Sequence, residues 1–149
     1  MSGPRERLPY WIQRADFEAQ DFDPVTLDGA YGVLDNHDWK GELEFEAELI
    51  EQDEECCPPG VGFSREAESC LDLFHACPDE EGLWTVHYFF PDQSRRGLIA
   101  SGFGLLGRVR VEQCRETANS LWPERVREAL RCFFLGDSPA VLDALEGQA

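Results

Sequence analysis

Residues 83–90 have the sequence LWTVHYFF, a run of β-branched and aromatic side chains that ends at Pro91. A turn-like segment, PDEEG at residues 78–82, precedes it. Successive side chains of a strand point to opposite faces of the sheet, and here both sets are mostly apolar. The run therefore predicts an interior strand with protein on both faces, and the rest of the domain is built around it.

The flanking segments predict further strands. Residues 70–77 precede the turn and predict an antiparallel hairpin with residues 83–90. Alternating or apolar patterns predict two more strands, at residues 60–63 and 105–112, and a short strand or an extended arm at residues 8–12. A helix is expected over residues 26–34, opened by Pro24.

The end of the chain has the clearest helix signals. Ser120 is a candidate N-cap, Pro123 fits the first turn, and Gly136 fits the position just past the end. A second helix is expected over residues 138–145. The sequence therefore predicts an α+β fold, with a mainly antiparallel sheet of four to six strands and two C-terminal helices packed on one face.

The length of 149 residues fits a single domain, residues 1–149, in which residues 1–7 are frayed. Its start lacks a cationic and apolar leader, and no apolar run reaches the roughly 18 residues needed to span a bilayer. We therefore expect a cytoplasmic protein of bacterial type that does not contact a membrane.

The formal net charge is −17, and it is unevenly distributed. Residues 1–75 hold 19 acidic against 5 basic side chains, whereas residues 76–149 hold 11 against 8. Such a field repels nucleic acid and anionic lipid, and it speeds encounter with a basic protein. The alternative is that the acidity only keeps the protein soluble.

Apolar residues alternate with glutamates between Glu42 and Leu49, within the segment at residues 39–51. As a strand, this segment would turn every carboxylate outward. As a helix it would contain like-charged pairs four residues apart, although Glu, Ala and Leu favour helix. The alternation leads us to predict a strand.

Four outward glutamates on such a strand would form a row of anions roughly 20 Å long, continued by the acidic loop that follows. A cationic partner would relieve their mutual repulsion. Exposed aromatic side chains, Trp39 or Tyr10 and Trp11, are candidate anchors. The alternative is an ordinary solvated face. The predicted partner-binding residues are Glu42, Glu44, Glu46, Glu48, Asp53, Glu54, Glu55 and Trp39.

Six cysteines are expected to be reduced thiols, because the predicted compartment is reducing. Whether some of them bind metal together with His75 is left open by their spacing, which matches no standard zinc motif. The candidate metal set is Cys56, Cys57, Cys70, His75 and Cys77, and the remaining cysteines are Cys114 and Cys132.

Two other patterns could carry chemistry. Residues 102–107 have the spacing G-x-G-x-x-G, but a strand is predicted where a dinucleotide-binding unit needs a helix. Thiol catalysis would need a cysteine beside one of the three histidines, His37, His75 and His87, of which the last two are expected to be neighbours across the hairpin. Neither pattern leads us to predict a catalytic residue, a metal or a cofactor.

These observations predict a small acidic interaction protein, for example an immunity or antitoxin-type inhibitor that binds a basic protein through a carboxylate-rich face. The alternative is a small enzyme or ligand-binding domain, with a pocket between the sheet and the C-terminal helices that is lined by His75 or His87. A protein that mimics DNA is a third possibility.

Overall fold

A computed structural model describes residues 6–65, 71–91 and 113–146. The described residues form one six-stranded antiparallel sheet, in the order β2-β1-β3-β4-β5-β6, and four helices. The predicted α+β class, antiparallel sheet and C-terminal helix pair are confirmed. The elements, in chain order, are β1 (Leu8–Gln13), β2 (Ala19–Val25), α1 (Leu27–Asn36), α2 (Trp39–Glu51), β3 (Gly60–Arg65), β4 (Asp72–Pro78), β5 (Trp84–Pro91), β6 (Gln113–Leu121), α3 (Pro123–Phe134) and α4 (Ser138–Glu146).

Strand β5 is an interior strand, as its composition predicts, and it pairs with β4 on one side and β6 on the other. Its two faces are unequally covered. Trp84, Val86 and Tyr88 are buried, whereas His87 and Phe89 on the opposite face are half-buried. One side of the sheet is therefore the core side, and the other remains partly open among the described residues.

Helix α3 covers the middle of the sheet with two adjacent aromatic rings. The ring centroid of Phe133 lies 5.7 Å from that of Phe74 and 6.0 Å from that of Tyr88, and Phe134 lies 5.9 Å from Phe63. All five side chains are almost completely buried. Burying an aromatic side chain of this size contributes roughly 1.5–3 kcal/mol, so these contacts are a major part of the core.

The boundaries of α3 confirm most of the local signals at the end of the chain. Pro123 occupies the first turn, and Gly136 has a φ of 74°, which a glycine adopts without steric cost. The N-cap residue is Trp122, and Ser120 lies within β6, so the predicted Ser120 cap is wrong.

The prediction of a strand at residues 39–51 is wrong, because this segment is helix α2. The Asp38 side chain caps it by accepting a hydrogen bond from the Gly41 backbone N–H at 3.0 Å. Glu42 and Leu49 are buried on its inner face. That spacing is helical, so a single row of outward carboxylates does not exist.

Both edge strands of the sheet differ from expectation. Residues 19–25 form β2, where Pro24 is tolerated because the strand is at the edge, so Pro24 does not open the helix. That helix, α1, begins after Thr26, whose hydroxyl accepts a hydrogen bond from the Gly29 N–H. At the other edge lies β6, which the sequence patterns do not predict. The predicted strand at residues 105–112 and the glycine pattern at residues 102–107 lie outside the described residues.

The helices that the structure describes are all too short or too polar to cross a bilayer.

Candidate functional site

Helix α2 is attached to the sheet by a buried carboxylate. Glu42 is 6% exposed, and its Oε1 accepts a hydrogen bond from Arg14 Nε at 2.9 Å. Its other oxygen lies 3.0 Å from Nε2 of His37. The Arg14 guanidinium also stacks over the Phe45 ring, 4.7 Å from the centroid. Because both oxygens of Glu42 have partners, this cluster compensates the buried charge and holds α2 in place.

The helix is held at its start by Trp39. The indole N–H donates to the Leu34 carbonyl oxygen at 3.1 Å, and the ring packs edge-on against Trp84 at 5.7 Å between centroids. Trp39 is only 9% exposed, so the prediction that it is an exposed aromatic side chain is wrong. Glu42 is likewise a packed residue and not part of the outer surface of α2.

The remaining predicted carboxylates except Glu46, together with Glu51, lie on the outer side of α2 and on the loop that follows. We call this region the α2 acidic surface. None of its members forms an ion pair with a described residue, and successive glutamates on the helix repel one another. Its six exposed residues are Glu44, Glu48, Glu51, Asp53, Glu54 and Glu55.

Glu46 differs from these six because it is half-buried on the side of α2 that faces the β4–β5 turn. Burial, and then the nearby charge of Glu80, raise the pKa of Glu46 above its ordinary value. Two carboxylates from different elements therefore approach each other here, and the negative potential extends from α2 to the turn.

Between α2 and the β4–β5 turn lies a concavity of about 490 Å³, which we call the α2–turn groove. Its apolar lining comes from both elements, whereas charged side chains lie among its more exposed members. The lining residues are Trp39, Lys40, Leu43, Glu44, Ala47, Pro78, Asp79, Glu80, Gly82 and Trp84.

The open side of the sheet carries a row of rings. Trp11 stacks on His75 with 6.2 Å between centroids, and His75 stacks on His87 at the same distance. Nδ1 of His87 lies 3.1 Å from the Thr117 hydroxyl. The two histidines are opposite each other in the strand register, so their predicted proximity across the hairpin is confirmed.

The charged form of both histidines in this row is disfavoured. Burial, and then the neighbouring His87, lower the pKa of His75 to about 4. Burial, and then Arg115, lower the pKa of His87. The two rings alternate along their strands with the residues that face α3, so they cannot line a pocket between the sheet and the C-terminal helices. That part of the alternative prediction is wrong.

The cysteines of the proposed metal set do not form a cluster in the described part of the chain. Sγ of Cys77 lies 3.6 Å from Nδ1 of His75, and burial raises the pKa of the Cys77 thiol to about 12. The Cys57 thiol donates to the Arg14 carbonyl oxygen at 3.2 Å. Cys56 and Cys57 form no disulfide, and Cys70 lies outside the described residues. Over residues 6–65, 71–91 and 113–146, no three His, Cys, Asp or Glu side chains converge as a metal site would need.

Comparison of this chain with models of protein families, with curated proteins and with solved structures finds no match.

Sequence reasoning missed the α2–turn groove and the Arg14–His37–Glu42 cluster. The signal that could have found them is local. Asp38 three residues before Gly41 is an N-cap pattern, and Glu42, Phe45 and Leu49 have the spacing of one helix face. A helix assignment for this segment would have placed Glu42 on the buried face, where a carboxylate needs a cationic partner.

Proposed function

We propose that this protein binds a basic protein through the α2 acidic surface. The observation that carries the proposal is the set of six exposed carboxylates on one helix and its following loop, without an ion pair to a described residue. Carboxylates that are held close together and not compensated raise the free energy of the unbound protein. A complementary cationic surface would remove that repulsion and would be attracted at long range.

An inhibitor of the immunity or antitoxin type is the specific role that we infer. The basic surfaces of nucleases and other nucleic-acid-binding proteins are built to hold phosphate. A helix that presents a dense set of carboxylates would compete for such a surface, and the protein's net charge of −17 would speed the encounter. Occlusion of the basic site, without chemistry, would then be the mechanism of inhibition.

The test is affinity capture from a lysate of the source organism, with two variants of equal charge change as baits. The first carries Glu44→Gln, Glu48→Gln and Glu51→Gln on α2. The control carries Glu18→Gln, Asp21→Asn and Asp23→Asn, which are exposed residues on and beside the edge strand β2.

We expect the wild type and the β2 control to retain the same basic protein at low salt, and the α2 variant to lose it. With the captured protein purified, the association rate should fall at least about tenfold for the α2 variant, and its dependence on salt should become weaker. Equal retention by all three baits, or equal association rates, would remove the acidic surface from the proposal.

A further inference from the structure

The α2–turn groove has an apolar bottom formed by two separate elements. Trp39, Leu43 and Ala47 follow one another at intervals of one helical turn along α2, and Trp84 approaches from β5. Trp39 and Trp84 are 9% and 7% exposed, so they lie at the bottom of the groove together with the buried Pro78. Leu43 is half-buried and Ala47 is exposed, so the groove opens toward the surface of α2. Its shape suits a side chain with an apolar stem.

The rim of the same groove is negative. Glu44 from α2 and Asp79 and Glu80 from the turn line the same groove, and the half-buried Glu46 lies close enough to Glu80 for their charges to interact. Among the described lining residues, Lys40 contributes the one positive charge. A cationic group that enters the groove would therefore meet carboxylates from both sides.

These two properties together specify an occupant. The methylene stem of an arginine can pack against indole rings, while its planar guanidinium can stack on an aromatic face and donate to two carboxylates at once. Lysine has a similar apolar stem, but its ammonium group is a compact, strongly hydrated charge that packs less well than a guanidinium against aromatic ring faces.

We propose that the α2–turn groove receives one arginine side chain of the basic partner, with its stem against Trp39 and Trp84 and its guanidinium between Glu44 and Glu80. The inference rests on the proposed function, because the partner that supplies the arginine is the one that the α2 acidic surface attracts. The groove then supplies an anchor that holds the complex, whereas the acidic surface speeds its formation.

The first test uses a defined probe and the full chain. The peptide acetyl-Leu-Arg-Leu-amide is titrated into ¹⁵N-labelled protein, and the indole N–H resonances of the four tryptophans are followed. Trp39 and Trp84 should shift together with a dissociation constant on the order of 1 mM. Trp11, on the open side of the sheet, and Trp122, at the start of α3, serve as internal references.

Replacing the arginine of the peptide by citrulline removes the charge and keeps the shape. This peptide should bind about tenfold more weakly, and the lysine peptide should also be weaker than the arginine peptide. A protein variant with Ala47→Trp fills the groove at an exposed position and should abolish the shifts. The matched variant Ala19→Trp, on the exposed edge strand β2, should leave them unchanged.

The inference is overturned if the arginine peptide causes no saturable shift of Trp39 and Trp84 up to about 10 mM, or if the citrulline or lysine peptide binds equally well. It is also overturned if Ala47→Trp leaves the binding intact.

With the captured partner, Ala47→Trp should keep the association rate and raise the dissociation rate at least about tenfold, because it changes no charge. An unchanged dissociation rate would refute the groove alone. If the α2 charge variant instead keeps the association rate of the wild type and its dependence on salt, the proposed function is refuted.

Discussion

Protonation of His75 should destabilise the folded protein in mild acid. The ring is held between Trp11 and His87 on the open side of the sheet, with the Cys77 thiol beside it. Burial and the neighbouring imidazole lower its pKa from 6.5 to about 4. The unfolded chain therefore binds a proton more readily than the folded one throughout the interval between these two values.

The sign and size of the effect follow from that difference. His75 contributes its full stability above pH 6.5, and this contribution is lost as the pH falls toward 4. The loss amounts to about 2 kcal/mol at pH 5 and approaches about 3 kcal/mol below pH 4. Lowering the pKa of His87 adds a smaller loss of the same sign.

The assay compares urea unfolding of the wild type and the His75→Gln variant at pH 7.5 and pH 5. Glutamine does not titrate, and all other ionisable groups are shared by the two proteins. The free energy of unfolding of the wild type should therefore fall by about 2 kcal/mol more than that of the variant between the two pH values. If the two falls agree to within about 0.5 kcal/mol, His75 is not held neutral by the fold and the reasoning is refuted.

Two further predictions concern how the elements are attached to the sheet. Glu42→Gln should lower the free energy of unfolding in urea by about 1–3 kcal/mol, because an amide offers one acceptor oxygen where the carboxylate offers two and carries no charge to pair with Arg14. The exposed Glu48→Gln should change it by no more than about 0.5 kcal/mol, and equal effects would contradict the anchoring role of Glu42. Gly62→Ala should cost about 1–3 kcal/mol and alter the near-ultraviolet circular dichroism, since the added Cβ would overlap the Trp11 ring. The control is Gly32→Ala in α1, where the added Cβ would lie 3.9 Å from the nearest atom, a side-chain nitrogen. This substitution should raise the free energy of unfolding by about 0.5–1 kcal/mol. A similar loss at both glycines would contradict the contact between Trp11 and β3.

The correctly predicted elements are those whose own residues favour the structure that they adopt. Residues 84–90 form a strand because β-branched and aromatic side chains fit a pleated surface, although only one face of this strand is fully buried. Helix α3 begins at Pro123 and ends before Gly136 because these residues favour the backbone angles of those positions.

The errors fall where the local pattern permits two structures. The alternation of glutamate with apolar residues in α2 fits a strand, but its apolar residues and Glu42 also fit one helix face. The partners of Glu42 decide between the two, since Arg14 lies 28 positions away in sequence and comes close only in the folded chain. A pattern within α2 cannot contain that information.

The sequence alone therefore determined the α+β class, the interior strand β5, the hairpin with β4 and the C-terminal helix pair, because these follow from side-chain preference and short-range geometry. Only the tertiary structure decided the strands β2 and β6, which are polar and exposed and exist through pairing with their neighbours. It also decided which carboxylates face outward and where α2 and the β4–β5 turn enclose a groove. These features depend on contacts between residues far apart in sequence, and such contacts become favourable only once the chain has paid the entropy of closing the loops between them.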